Sequence, residues 1–251
     1  MFPNYEASHA HSLETLNLMY EYDDFMDSIS TLADIGCGSG GLDLEWWATR
    51  TTRDDDPEPL NIRCMGIDIF SELPMARKYP NITYQKVDFE ETIAPPKKLF
   101  DVIWCHDAFQ YAINPIETLS RWQKITSDGA MLALTVPQTT NIVYKNHQCI
   151  QPNGCYYHHT LVSLIHTLAT AGWDCNNGFF LKKPNDHWIH AVVYKSKHPP
   201  MDPKKITWYE LADLKLLPES AAKSIMKHGY LQQQDLLLTW LDKSISWMGN
   251  Q

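Results

Sequence analysis

The chain is predicted to adopt an α/β fold: a doubly wound, seven-stranded sheet, mostly parallel, with an antiparallel C-terminal hairpin and a helical C-terminal extension. Three observations predict it. From Thr31 to about Lys197, short β-rich runs alternate with helical segments, the pattern of a parallel sheet covered by helices. The strand runs are almost continuously apolar, as strands buried on both faces are. The last two strand candidates are separated only by KPND, enough for a hairpin and too short for a crossover.

The first five strand candidates are TLADIG, NIRCMGIDI, ITYQKVD, LFDVIWCH and AMLALTVP. Between them lie GLDLEWWATR, SELPMARKY and PIETLSRWQKI, each with apolar residues at three-to-four spacing, which predicts crossover helices. After a polar loop from Gln138 to Tyr157, the stripe Leu161, Leu164, Ile165 and Leu168 predicts a helix ended by Gly172. GWDCNNGFFLKK and DHWIHAVVYKS then supply the hairpin. Residues 1–30 read as a helical lead-in, with Leu13, Leu16, Met19 and Tyr20 on one side, and residues 31–197 as the core. Pro199, Pro200 and Pro203 mark the joint to a tail over residues 198–251. That tail contains ESAAKSIMKHG and a final amphipathic run with Leu236, Leu237, Trp240, Leu241, Ile245 and Trp247. The run is expected to pack on the core, with a lid or a homodimer interface as second readings.

A chain of 251 residues, 44% hydrophobic and 20% charged, can bury a sizeable core. Its formal charge of −9 and the lack of a Lys/Arg cluster argue against nucleic acid as a partner. The six cysteines are scattered without a CxxC pair, which fits a reducing compartment. The opening MFPNYEASHAHS has neither the basic start nor the apolar run of a secretory signal, and no apolar segment approaches the roughly 20 residues that cross a bilayer. A cytoplasmic location without membrane attachment is expected.

The stretch TLADIGCGSGG carries the letters G-x-G-x-x-G at Gly36, Gly38 and Gly41, with Asp34 two residues ahead. A pyrophosphate on a helix N-terminus needs free N–H groups and a favourable dipole, and a carboxylate at that place works against it. S-adenosylmethionine has no phosphate and carries a sulfonium and an α-ammonium group, so an acid at the strand tip suits it. The glycines let backbone pass close to such a ligand.

With these residues the chain resembles the class I S-adenosylmethionine-dependent methyltransferases, in the style of the type 11 small-molecule group, over roughly Thr31 to Ser196. The resemblance implies a Rossmann-like sheet and the cofactor S-adenosylmethionine, with S-adenosylhomocysteine as product. It matches the family's first motif to Asp34, Gly36, Gly38 and Gly40, with Cys37 between them. It places Asp68 and Ile69 of GIDIF at the ribose hydroxyls and Asp88 and Phe89 of VDFEE near the adenine. FDVIWCHDAFQY corresponds to the strand and loop at the methionine end, which sets Cys105 and His106 beside the cofactor. In ITSDGAMLAL, Ser127 and Asp128 replace letters of the family's usual proline-glycine-glycine turn. Asp68 lies farther from the glycines than the approximately 20 residues usual for a ribose acid, and the polar insert Thr51 to Pro59 accounts for the surplus as a surface loop.

If the methyl acceptor is a hydroxyl or a protonated amine, a group must take its proton, and a histidine is the common choice. His106 is the candidate, with a backbone-bonded strand-end histidine as the alternative. Gln110 and Tyr111, in the loop after it, and the aromatic and histidine lining of Tyr156, Tyr157 and His158 are the candidate acceptor contacts. The loop's His147, Cys149, Cys155, His158 and His159 match no standard structural zinc spacing, and no metal is expected. Tyr5, His9 and His11 could fold over the cofactor.

The preferred function is methyl transfer to a small molecule, with a protein side chain second. DNA-base methylation is disfavoured because HDAFQY lacks the (D/N)PP(Y/F) signature. Two other readings remain: an NAD-dependent oxidoreductase using the literal glycine pattern, and a non-catalytic cofactor-binding module whose helical tail binds a partner.

Overall fold

The structure, a computed structural model, describes residues 28–39, 41–51, 58–69, 74–94, 98–137, 159–181 and 188–231. Nearly all of the lead-in, the loop after Pro137 as far as His158, and the tail's final amphipathic run lie outside the described residues.

Seven strands are present, β1 (Thr31–Ile35), β2 (Arg63–Asp68), β3 (Ile82–Lys86), β4 (Phe100–His106), β5 (Thr126–Pro137), β6 (Trp173–Leu181) and β7 (Trp188–Lys195). They form one sheet in the order β3-β2-β1-β4-β5-β7-β6. β1 pairs in parallel with β2 and β4, and β2 with β3. β7 runs antiparallel to both β5 and β6, which is the expected closing hairpin. The helices among the described residues are α1 (Leu42–Ala48), α2 (Met75–Lys78), α3 (Pro115–Lys124), α4 (Leu161–Thr170), α5 (Trp208–Asp213) and α6 (Glu219–His228). None of them is long and apolar enough to cross a membrane.

The chain divides into two compact units. The first comprises Met1–His106 with Ile125–Ser127. Its centre is β1, buried at all five positions because it is flanked by β2 and β4. α1 covers the sheet with Leu44 and Trp47, which are almost fully buried. At the amino ends of β1 and β4, Asp101 Oδ2 accepts hydrogen bonds from Ser30 N–H (2.9 Å), the Ser30 hydroxyl (2.7 Å) and Thr31 N–H (3.1 Å), while Oδ1 accepts from Ser127 (3.1 Å). The Ser127 hydroxyl also lies 3.2 Å from Phe100 O, within this clamp, and β5 starts at Thr126, four residues before the apolar run that marked it in the sequence. The two ends of the polar insert pair across an antiparallel bridge, Thr51 with Pro59, and Leu60 N–H donates to Arg50 O at 2.9 Å. Both bridge residues are exposed, so the insert leaves and rejoins the chain at the surface.

The second unit comprises Asp107–Lys124 and Asp128–Gln251. α3 buries Leu119 and Trp122, and α4 buries Leu161, Leu164, Ile165 and Leu168 as its stripe predicted. Thr160 and Ser163 close a capping box at the start of α4, and Thr207 and Glu210 do so for α5. The turn from α4 into β6 requires glycine, because Gly172 has φ of 85° and a Cβ there would stand 2.7 Å from His198 O. β6 is irregular between Asp174 and Phe179, where Asp174 Oδ1 accepts the Asn176 and Asn177 N–H groups at 2.8 and 3.1 Å.

Candidate active site

In the first unit the expected cofactor residues gather at the carboxyl ends of β1 and β2, the end at which open α/β sheets bind ligands. β1 ends in Asp34, paired in register with Gly66 of β2 and Trp104 of β4 and 2% exposed. The chain then turns through Gly36 (φ 78°) and Gly38 (φ 64°), left-handed positions that favour glycine. The N–H groups of this turn are engaged from below. Gly36 and Cys37 donate to Ile67 O at 2.8 and 3.3 Å, and Gly38 donates to Asp68 Oδ2 at 2.8 Å. Asp68 Oδ1 accepts the N–H of Ile69 at 2.7 Å, so this carboxylate binds the glycine turn to the tip of β2. Ile69, directly after it, is 62% exposed. Gly40 lies outside the described residues.

Asp34 has a different environment. Among the described residues its carboxyl has no hydrogen-bond donor. Burial, with the negative charges of Asp43 and Asp68 added, holds its pKa well above the ordinary value of 3.8. Burial, with the charges of Asp34 and Asp68 added, also pushes the Cys37 thiol up. Tyr84, whose hydroxyl donates to Asp68 O at 3.1 Å, is raised to about 12 by partial burial and then by Cys37 and Asp68.

A second group lies under α1. Trp104 and His106, two apart on β4, face the same side of the sheet. Trp104 Nε1–H donates to Asp43 Oδ2 at 2.6 Å, and His106 Nδ1 is 3.6 Å from that same oxygen. Trp47, one helical turn beyond Asp43, meets Trp104 edge-on with ring centroids 6.3 Å apart. Cys105 alternates to the other face and is 1% exposed.

The remaining expected positions are less concentrated. Asp88, exposed after β3, accepts Glu90 N–H at 2.9 Å, and Phe89 follows it in the turn. In the second unit Asp107 adopts φ of 51°, a conformation Asp tolerates better than most residues. Its N–H donates to Thr135 O at 3.0 Å. The side-chain amide of Gln110, 2% exposed, donates to Asp107 O at 3.0 Å and Oδ1 at 2.5 Å. Tyr111 is half-buried in the short helical turn Phe109–Tyr111. Tyr156, Tyr157 and His158 lie outside the described residues. His159, just after them, is buried and stacked 5.7 Å from Phe109.

Sequence reasoning missed Asp43 and Trp104. Asp43 looks like an ordinary first-turn helix acid, and its pairing with a residue 61 positions away leaves no local signal.

The matching family model is that of a methyltransferase domain; it spans residues 18–177, and the chain belongs to that family. The fold is shared with a chain from the complex of the Haloferax volcanii Trm112 methyltransferase activator with a methyltransferase, at 16% identity and TM-score 0.53, covering 78% of this chain and 98% of that one. Human N-acetylserotonin methyltransferase, solved with S-adenosylmethionine, matches at 14% identity and TM-score 0.54, covering 72% of this chain and 51% of that one. The plantazolicin methyltransferase BpumL, solved with S-adenosylhomocysteine, matches at 16% identity and TM-score 0.53, covering 78% and 91%. This chain therefore spans nearly all of the first and third but about half of the human enzyme. No curated protein sequence matches it.

Proposed function

We propose that the protein transfers a methyl group from S-adenosylmethionine to a small-molecule acceptor by direct displacement. The observation that carries this reading is the state of the glycine turn. A diphosphate cradle needs inward-free N–H groups, yet those of Gly36, Cys37 and Gly38 already donate to Ile67 O and Asp68. Beside them stands the buried Asp34 carboxyl, whose charged form is disfavoured until a positive group arrives. A cationic ligand relieves that penalty, and a diphosphate deepens it.

When bound, S-adenosylmethionine supplies an electrophilic methyl group on a sulfonium, so transfer needs only an acceptor lone pair aligned behind the carbon. Asp34 would face its positive groups, with the backbone of Gly36, Cys37, Gly38 and Gly40 alongside. Asp68 and Ile69 would take the ribose, and Asp88 and Phe89 the adenine. Cys105 and His106 would border the methionine end, His106 accepting a proton where the acceptor carries one. The acceptor would be met by Gln110, Tyr111, Tyr156, Tyr157 and His158, the Gln110 amide also holding the left-handed Asp107.

Titration calorimetry and thermal melting with S-adenosylmethionine, S-adenosylhomocysteine and NADH, each alone, test this. The first two are expected to bind saturably and to stabilise the fold by about 2.7 kcal/mol at a hundredfold excess over Kd. Stabilisation by NADH alone, or by none of the three, overturns the reading.

A further inference from the structure

We propose that Asp43 is a positioning residue for His106: its carboxyl fixes the imidazole with the proton on Nδ1, which makes Nε2 the nitrogen able to take a proton. The role rests on the methyl-transfer reading above. The tautomer itself is a property of the protein alone.

Both side chains are shielded, His106 6% and Asp43 8% exposed, so water does not set the geometry between them. The indole N–H of Trp104 holds Asp43 Oδ2 from one side, and Trp47 packs on that indole from the same helix as Asp43. The carboxyl is thereby held facing β4, where His106 is two residues beyond Trp104. An oxygen that accepts from an indole is an acceptor toward the imidazole as well, and it favours an N–H at the ring nitrogen it faces. The 3.6 Å separation exceeds a hydrogen bond, and at that range the Oδ2 charge still favours a proton on the ring nitrogen it faces. Hydrogen bonds of this kind are often long before substrate is bound.

The division of labour is that of a Ser-His-Asp triad, in which the carboxylate orients the imidazole and the imidazole moves the proton. For a hydroxyl acceptor, its oxygen lone pair forms the bond to the methyl carbon, the carbon–sulfur bonding pair stays on sulfur, and the hydroxyl proton passes to Nε2 and later to water.

The test is nitrogen NMR of the full chain with isotope-labelled histidine, at a pH where imidazoles are neutral, with and without S-adenosylhomocysteine. H106Q identifies the signal. Wild type is expected to show the Nδ1–H tautomer. In D43A the oxygen that faces Nδ1 is gone, so the ratio is expected to shift toward the Nε2–H tautomer that a free imidazole favours. An Nε2–H tautomer in wild type, or an unchanged ratio in a folded D43A, overturns the proposal. The wild-type spectrum decides alone if D43A fails to fold. A chain that shows the expected tautomers but binds no S-adenosylhomocysteine refutes the donor reading while leaving the Asp43 to His106 relation intact.

Discussion

Asp101 and Asp34 belong to adjacent strands of the same unit, yet their carboxyls meet opposite conditions at opposite ends of the sheet. At the amino end, burial would raise the Asp101 pKa, but hydrogen bonds from the Ser30 hydroxyl and N–H, Thr31 and Ser127 win and hold it below the ordinary range. At the carboxyl end, Asp34 is more deeply buried and has no donor among the described residues, so burial wins and its pKa rises. Donor supply, rather than residue type, decides the sign. The satisfied carboxylate is a structural clamp, and the one without donors carries a burial cost that fits the ligand role proposed for it.

Removing the clamp has the largest expected effect. Asp101→Ala strands two backbone N–H groups at the start of β1, and denaturant unfolding should show a loss of about 2–3 kcal/mol. A loss near zero would mean that the two ends do not differ. Asp34→Asn should leave the ligand-free chain as stable or more so, because it removes a buried carboxyl that lacks donors. It should weaken S-adenosylmethionine binding by about tenfold, or 1.4 kcal/mol, and S-adenosylhomocysteine less, since that molecule lacks the sulfonium. Equal loss for both ligands would separate Asp34 from the sulfur.

The same pair sets opposite pH dependences. Asp101, with its folded pKa depressed, contributes stability above the ordinary value of 3.8 that is lost as pH falls through the folded value. Asp34, with its folded pKa raised, contributes stability that is full below 3.8 and lost as pH rises through the folded value. The stability of wild type relative to Asp34→Asn, measured from acid upward, should therefore fall as pH rises through the Asp34 value, with the Asp101 contribution cancelling between the two chains. Asp68→Ala, which loses both the proposed ribose contact and the Gly38 bond, should weaken S-adenosylhomocysteine by more than about 1 kcal/mol in calorimetry. The smallest effect is expected far from either end: Arg121→Ala breaks the exposed pair with Glu117 and should cost only about 0.3–0.5 kcal/mol.

Much of the fold was legible beforehand because it is written in local pattern. Apolar runs set the strands, three-to-four spacing set the helices, and the short KPND link set the hairpin. The acids at strand tips were legible too, since Asp34 and Asp68 directly adjoin the glycines and strands that mark them. Gln110 was chosen as an acceptor contact by its place in the loop after β4, and folding shows its amide turned onto Asp107.

Chain order alone was enough to specify the alternation of strands and helices and to set Asp34 and Asp68 at their ends, because strand and helix periods are properties of neighbouring residues. Folding was needed to bring Asp43 of α1 against Trp104 and His106 of β4, and Asp101 against Ser30 and Thr31. Those pairings, like the opposite directions in which the Asp101 and Asp34 pKa values move, depend on burial and on donors 61 to 71 residues away, distances over which sequence spacing carries no geometric information.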